Sequence, residues 1–317
     1  MFLPLLLMLL GIAILIAGAE VMVRGSASMA QKLGISTIVI GLTVVAFGTS
    51  APELVVNLFS ATQGSTDLAI GNIIGSNMAN ILLILGIGAL IKPLKVKFGT
   101  TFKEIPFALL AIFLVLIMGN DTMLNGVGVN ALNRSDGIAF LSFFAIFLYY
   151  TYGISKVSGD GDDVEQYTWS TSLIMFAAGI TGLVVGGKMI VDNASILAAL
   201  AGMSEALIGL TIVAIGTSLP ELATTIVAIR KGQTDLAIGN AIGSNIFNVF
   251  WILGLTATVS PLPFDTKANI DVLVAVLATF LLFLFMFVGK KHRLEKWQGA
   301  LFVLIYFSYL TYAVMIR

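Results

Sequence analysis

Twice in the chain a lone carboxylate follows a proline inside a long apolar run: G-T-S-A-P-E ends at Glu53 and G-T-S-L-P-E ends at Glu221. Ala46, Thr49, Ser50 and Glu53 stand at i, i+3, i+4 and i+7, one face of a helix. Ala214, Thr217, Ser218 and Glu221 repeat that face. Pro52 and Pro220 each remove the amide that would bond the carbonyl four residues back, and crowd that turn. Backbone carbonyls of residues 46–49 and 214–217 are therefore expected to be free. Two further segments, G-N-I-I-G-S-N and G-N-A-I-G-S-N, add the i, i+4 pairs Ser76 with Asn80 and Ser244 with Asn248.

These groups are all hard oxygen donors. They suit Ca²⁺, which takes 6–8 oxygens in flexible geometry, and Na⁺ by the same argument; Mg²⁺ holds its waters and demands a strict octahedron. With one His (His292) and no Cys in 317 residues, nothing favours zinc or copper, and disulfides and Cys nucleophiles are excluded. Two carboxylates neutralise one Ca²⁺ or two Na⁺. A site that holds either load but not both meets the physical requirement for an exchanger. Protons can also neutralise the two Glu, so a Ca²⁺/H⁺ or other cation/H⁺ exchanger is the alternative. The Ser, Thr and carbonyl donors favour Na⁺, because a proton needs no coordination shell. A channel pore forms at an oligomer axis or from rings of like groups, whereas this set closes within one chain. An intramembrane hydrolase, the reading from another class, lacks an activated nucleophile: the only His lies in a loop and no Ser–Lys pair falls at one depth. No enzyme is expected, and no cofactor.

The elements that must position these residues follow from composition. The chain is 58% hydrophobic and 11% charged, with a mean hydropathy of +1.02. That is too apolar for a soluble globule, so it reads as an all-α polytopic membrane protein. Seventeen basic residues balance seventeen acidic ones, which argues against nucleic acid as a partner. The lipid bilayer is the expected surrounding, and nothing calls for an obligate protein partner. Apolar runs near 2–24, 37–62, 67–91, 102–119, 136–154, 169–191, 205–229, 235–260, 269–289 and 297–316 give ten candidate spans. The first lacks a basic n-region and a clear cleavage pattern, and is kept as a span. Loops after the odd-numbered spans hold thirteen Lys and Arg against four on the opposite side. By the positive-inside rule this is a multi-pass protein of the cell membrane with both termini outside.

A shift of 168 residues aligns 37–87 with 205–255 without a gap, at 28 identities in 51 positions. Five spans per half is an odd number, so the second copy enters the membrane from the opposite side. The expected organisation is a first five-helix repeat (1–154), a short acidic cytoplasmic linker (155–168) and an inverted second repeat (169–317). Binding is expected at the midplane where the repeats meet, on broken helices 2, 3, 7 and 8. Glu53 and Glu221 fall about midway along their spans, where a charge costs about +2.5 to +3.5 kcal/mol, with no Lys or Arg deep in these spans to pair them.

The paired G-T-S-x-P-E and G-N-x-I-G-S-N segments resemble the alpha-repeats of the sodium/calcium exchanger family, in its prokaryotic form, within the cation/calcium exchanger superfamily. The resemblance implies electrogenic exchange of several Na⁺ for one Ca²⁺ by alternating access. It implies that spans 2, 3, 7 and 8 hold the ions while spans 1 and 6 slide across them. It assigns Glu53 and Glu221 as acidic ligands and Thr49, Thr217, Ala46 and Ala214 as carbonyl donors. Ser50, Ser76, Ser218 and Ser244 become hydroxyl ligands, and Asn80 and Asn248 the central pair. Family members often carry Asp where this chain has Asn248, which argues against K⁺ co-transport. The short central loop leaves no room for a regulatory domain.

The remaining polar residues have plainer readings. Asn77 and Asn245 are expected to stabilise helix bends, and Asp67 and Asp235 to cap helices. Glu20 and Lys188 are expected to snorkel to the interface, His292 to be an ordinary solvated loop residue, and the glycines of 179–187 to serve close packing.

Overall fold

The structure is a computed structural model that describes residues 2–62, 66–126, 129–156, 165–202 and 214–316. It is 84% helical. Among the described residues, eight helices are long and apolar enough to cross a membrane, or nine if one bent pair counts as a span. They are α1 (Phe2–Leu33), the bent pair α2 (Thr37–Thr49) and α3 (Ala51–Ala61), α4 (Leu68–Ile91), α5 (Thr100–Met118), α6 (Arg134–Ser155) and α7 (Trp169–Leu200). After two shorter helices, α8 (Ala214–Thr217) and α9 (Leu219–Arg230), come α10 (Thr234–Val259), α11 (Ala268–Phe285) and α12 (Lys296–Met315). The candidate span near 205–229 lies partly outside the described residues, as does most of the acidic linker.

Helices α1 and α7 run further than their apolar stretches suggest. Each has 32 residues, about 48 Å of helix, so each reaches beyond a hydrocarbon core of about 30 Å. Nothing after Arg24 breaks α1 until Gly34, whose φ of +66° ends it. Glycines let these two helices touch backbone to backbone. A Cβ on Gly18 would lie 2.8 Å from Leu183 N, and one on Gly186 2.6 Å from Leu15 N. The same device seats α2 on α10: a Cβ on Gly41 would meet Leu236 O at 2.7 Å, and one on Gly243 would meet Leu42 O at 2.7 Å. Elements from the two sequence halves therefore interpenetrate.

The helices are not uniformly α. π-Helical segments occur at Gly41–Val45, Ala79–Ile84, Thr100–Glu104 and Phe247–Leu253. The second and fourth fall at positions related by the 168-residue shift. The all-α expectation also needs a small correction. Two antiparallel clasps tie loops of one half to loops of the other, Leu94–Lys95 with Arg293–Leu294 and Ala131–Leu132 with Leu262–Pro263. Chance pairing of short loop segments has no periodicity that could announce it in sequence. An aromatic layer of Phe107, Phe143, Phe144 and Phe147 packs against Phe247 and Phe250, fixing α10 against α5 and α6.

Candidate ion-binding site

The bent pair turns by 45° between α2 and α3. Its hinge is Ser50, at φ −86° and ψ 5°. Ser218, between α8 and α9, has φ −87° and ψ 4°, so both repeats break at the same residue. The proline two residues on is tolerated because it opens a new helix. Each Glu consequently sits in the first turn of a helix, where the positive end of the helix dipole favours an anion. Both carboxylates are fully buried.

The carbonyl of Ala46, expected to be free, is not: it accepts from the Ser50 amide at 3.0 Å. The turn 46–50 stays helical because the break falls after it, leaving at most the second lone pair. In the other repeat the Ser218 amide reaches Ile215 O at 3.2 Å. Ala214 begins α8, but its side chain lies outside the described residues.

The predicted side chains converge across the two halves. Ser50 donates to Glu221 Oε1 at 3.0 Å, and Ser244 approaches the same oxygen at 3.5 Å. Ser76 donates to Glu53 Oε1 at 3.4 Å and accepts from Ser218 at 3.2 Å and from Asn248 Nδ2 at 3.2 Å. Thr49 Oγ1 and Ser244 Oγ lie 3.4 Å apart. Four oxygens in this belt have no hydrogen-bond partner among the described residues: Glu53 Oε2, Glu221 Oε2, Asn80 Oδ1 and Asn248 Oδ1. Leaving buried acceptors unpaired is costly, and here they are orphaned in two repeat-related pairs. No salt bridge reaches either Glu among the described residues. Such a set can accept a desolvated hard cation, or protons on its two carboxylates.

Sequence reasoning missed part of this network. Asn72 and Asn240 accept from Thr217 and Thr49 across the halves, at 3.3 and 3.0 Å. Asn77 and Asn245 do more than stabilise bends. Each donates to the other's backbone carbonyl at 3.3 Å, and their side-chain oxygens accept from Asn248 and Asn80 at 2.9 Å. That orients the two central amides. Asn80 and Asn248 stand within π turns, which widen the helix there and are frequent at functional sites. The signal available was repetition itself: all four Asn recur at the 168-residue shift.

Outside the belt, the readings of four residues change. Glu20 is not simply snorkelling, since it joins Lys231 at 3.0 Å and Arg24 at 2.6 Å and so ties α1 to the end of α9. Lys188 pairs with Asp192 on its own helix at 2.9 Å. Asp235 does not cap; Gln233 holds the cap position, and the Asp235 carboxylate in the first turn meets Lys97 at 2.7 Å. The side chain of Asp67 lies outside the described residues. His292 is half-buried among Phe98, Phe102 and Phe287 and contacts Thr101 Oγ1 at 3.0 Å. The loop clasp brings those aromatics together, so no local pattern could show it.

Comparison with known proteins agrees with this geometry. Residues 3–153 and 171–315 match the family described as sodium/calcium exchanger protein. The chain is 38% identical to the putative antiporter CaxA of Alkalimonas amylolytica over 95% of each. It is 30% identical to the sodium/calcium exchanger MaX1 of Methanosarcina acetivorans over 96% of this chain and 97% of that one. The solved sodium-calcium exchanger NCX_Mj superposes with a TM-score of 0.84 at 31% identity, covering 98% of both chains. The protein belongs to the sodium/calcium exchanger family, and is a multi-pass membrane transporter of its prokaryotic branch.

Proposed function

We propose that the protein is an electrogenic Na⁺/Ca²⁺ antiporter, exchanging several Na⁺ for one Ca²⁺ by alternating access at the belt between Glu53 and Glu221. The observation that carries this reading is the set of four buried oxygens on Glu53, Glu221, Asn80 and Asn248 that have no partner among the described residues. Two carboxylates balance one Ca²⁺, and two Na⁺ balance them equally. Thr49, Ser50, Ser76, Thr217, Ser218 and Ser244 supply neutral oxygens around them, with the Ala214 carbonyl and the remaining lone pair of the Ala46 carbonyl as further donors. Hydroxyl and amide oxygens serve ions that need a coordination shell, which favours Na⁺ over H⁺ as the counter-ion. Asn rather than Asp at position 248 leaves two carboxylates in the belt and supports K⁺ independence.

The frame we propose is ten helices in two inverted five-helix repeats, 1–154 and 169–317, joined by the linker 155–168. The identical hinge angles at Ser50 and Ser218 support it, as do the repeat-related bonds of the Asn residues. The surplus of basic residues on one side supports a cell-membrane protein with both termini outside. Contacts between glycines of α1 and α7 suit these helices to slide as the gate.

Uptake of ⁴⁵Ca²⁺ into proteoliposomes, driven by an outward Na⁺ gradient and repeated with K⁺ and with a pH gradient, tests the reading. Uptake that needs Na⁺ and ignores K⁺ and pH is expected. Uptake driven by a pH gradient without Na⁺ would replace it with Ca²⁺/H⁺ exchange, and strong stimulation by K⁺ would remove the Asn248 argument.

A further inference from the structure

Away from the belt, a cavity of about 420 Å³ is lined by Lys103, Glu104, Phe107, Ile146, Phe147 and Tyr150, between α5 and α6. Its wall is apolar but for three groups. Tyr150 donates its hydroxyl to Glu104 Oε1. Glu104 is only 3% exposed, and its Oε2 has no partner among the described residues. Lys103 Nζ stands 5.7 Å from the Tyr150 ring centroid and pairs with no carboxylate among the described residues. The 168-residue shift sets Asp271 against Lys103 and Val272 against Glu104. This arrangement therefore exists once and lies outside the duplicated machinery.

Its depth is marked by its neighbours. Tyr149 and Tyr152 are exposed beside it, and Lys156 Nζ lies 4.5 Å from the Tyr152 ring centroid. Tyr and Lys gathered at the end of a span mark the level of the lipid headgroups. A buried carboxylate oxygen without a donor calls for an N–H group carrying positive charge. The lysine calls for an anion within reach of that group. The Phe107 and Ile146 walls call for hydrocarbon.

We propose that this cavity binds one phospholipid with a primary-ammonium headgroup. Its ammonium donates to Glu104 Oε2, its phosphate lies against Lys103, and an acyl chain follows Phe107 and Ile146. A trimethylammonium head has no N–H to donate, and a glycerol head carries no positive charge. The site should therefore discriminate among lipids that share the same chains.

The test uses the full chain, purified and stripped of lipid, titrated with phosphatidylethanolamine, phosphatidylcholine or phosphatidylglycerol of identical chains and read by native mass spectrometry. Phosphatidylethanolamine should bind at least about tenfold tighter than the other two, the range of one charge-assisted hydrogen bond. Glu104→Gln should remove that preference. Ile146→Trp fills the cavity without touching the carboxylate and should weaken all three lipids. Equal binding of the three lipids to the unmodified protein overturns the proposal. So does undiminished phosphatidylethanolamine binding in either variant.

Discussion

Helices α4 and α10 are 83% and 94% buried over their most apolar windows, whereas α1 and α7 are 22% buried. The two pairs are held in different ways. The inner pair is joined by directional hydrogen bonds, with Asn77, Asn80, Asn245 and Asn248 bonded in reciprocal fashion. The outer pair meets chiefly through glycine, with backbone against backbone, and through one buried hydrogen bond from Ser172 to Ser28 at 3.0 Å. Directional bonds select one arrangement, and in a low-dielectric setting their loss is expensive. Small-residue contacts let backbones approach closely with few directional bonds, so displacement along them is expected to cost less. On the function proposed above, the ions are held where the polar bonds are, and motion takes place where the glycines are.

The largest expected effect lies in the inner region. Glu53→Gln or Glu221→Gln should reduce Na⁺-driven Ca²⁺ uptake to the level of empty vesicles while expression and elution profile are unchanged. Retained uptake in both variants would take the carboxylates out of the mechanism. The same substitutions should abolish the thermal stabilisation by Ca²⁺, which in the unmodified protein reaches about 2.7 kcal/mol at a Ca²⁺ concentration 100 times Kd.

Smaller effects separate the two kinds of contact. Asn77→Ala and Asn245→Ala should each cost about 1–3 kcal/mol by leaving buried groups unpaired. A double-mutant cycle should give a coupling of at least about 0.5 kcal/mol. Additive losses would mean the two amides do not act as a unit. In the outer region, Gly18→Leu should cost about 1–3 kcal/mol through overpacking and slow exchange more than it weakens Ca²⁺ binding. A change in Ca²⁺ affinity at unaltered turnover would argue against a gating role for α1. The smallest effect should come from Lys231→Ala, which frees α1 from its tie to α9. An exposed pair of this kind contributes about 0.2–1 kcal/mol, and at 1 M salt, where the Debye length is about 3 Å, its effect on unfolding should vanish.

The belt was legible because it is written twice. An isolated Glu53 reads as an odd carboxylate, and its copy at the same register turns oddity into design. The family was legible for the same reason. What escaped depends on contacts between distant segments. The His292 aromatic nest, the Lys97–Asp235 pair and the two loop clasps form only when the halves close. The π turns at Asn80 and Asn248 escaped because no residue type announces a wide turn. The freed Ala46 carbonyl was a wrong expectation of a specific kind: proline broke the helix after the 46–50 turn rather than within it.

The Asn77–Asn245 exchange carries one more consequence. A residue that bonds its own counterpart, and is bonded by it in the same way, makes an isologous contact, the kind on which two-fold dimers are built. In the two-repeat frame proposed above, each half therefore carries part of the surface that recognises its own copy.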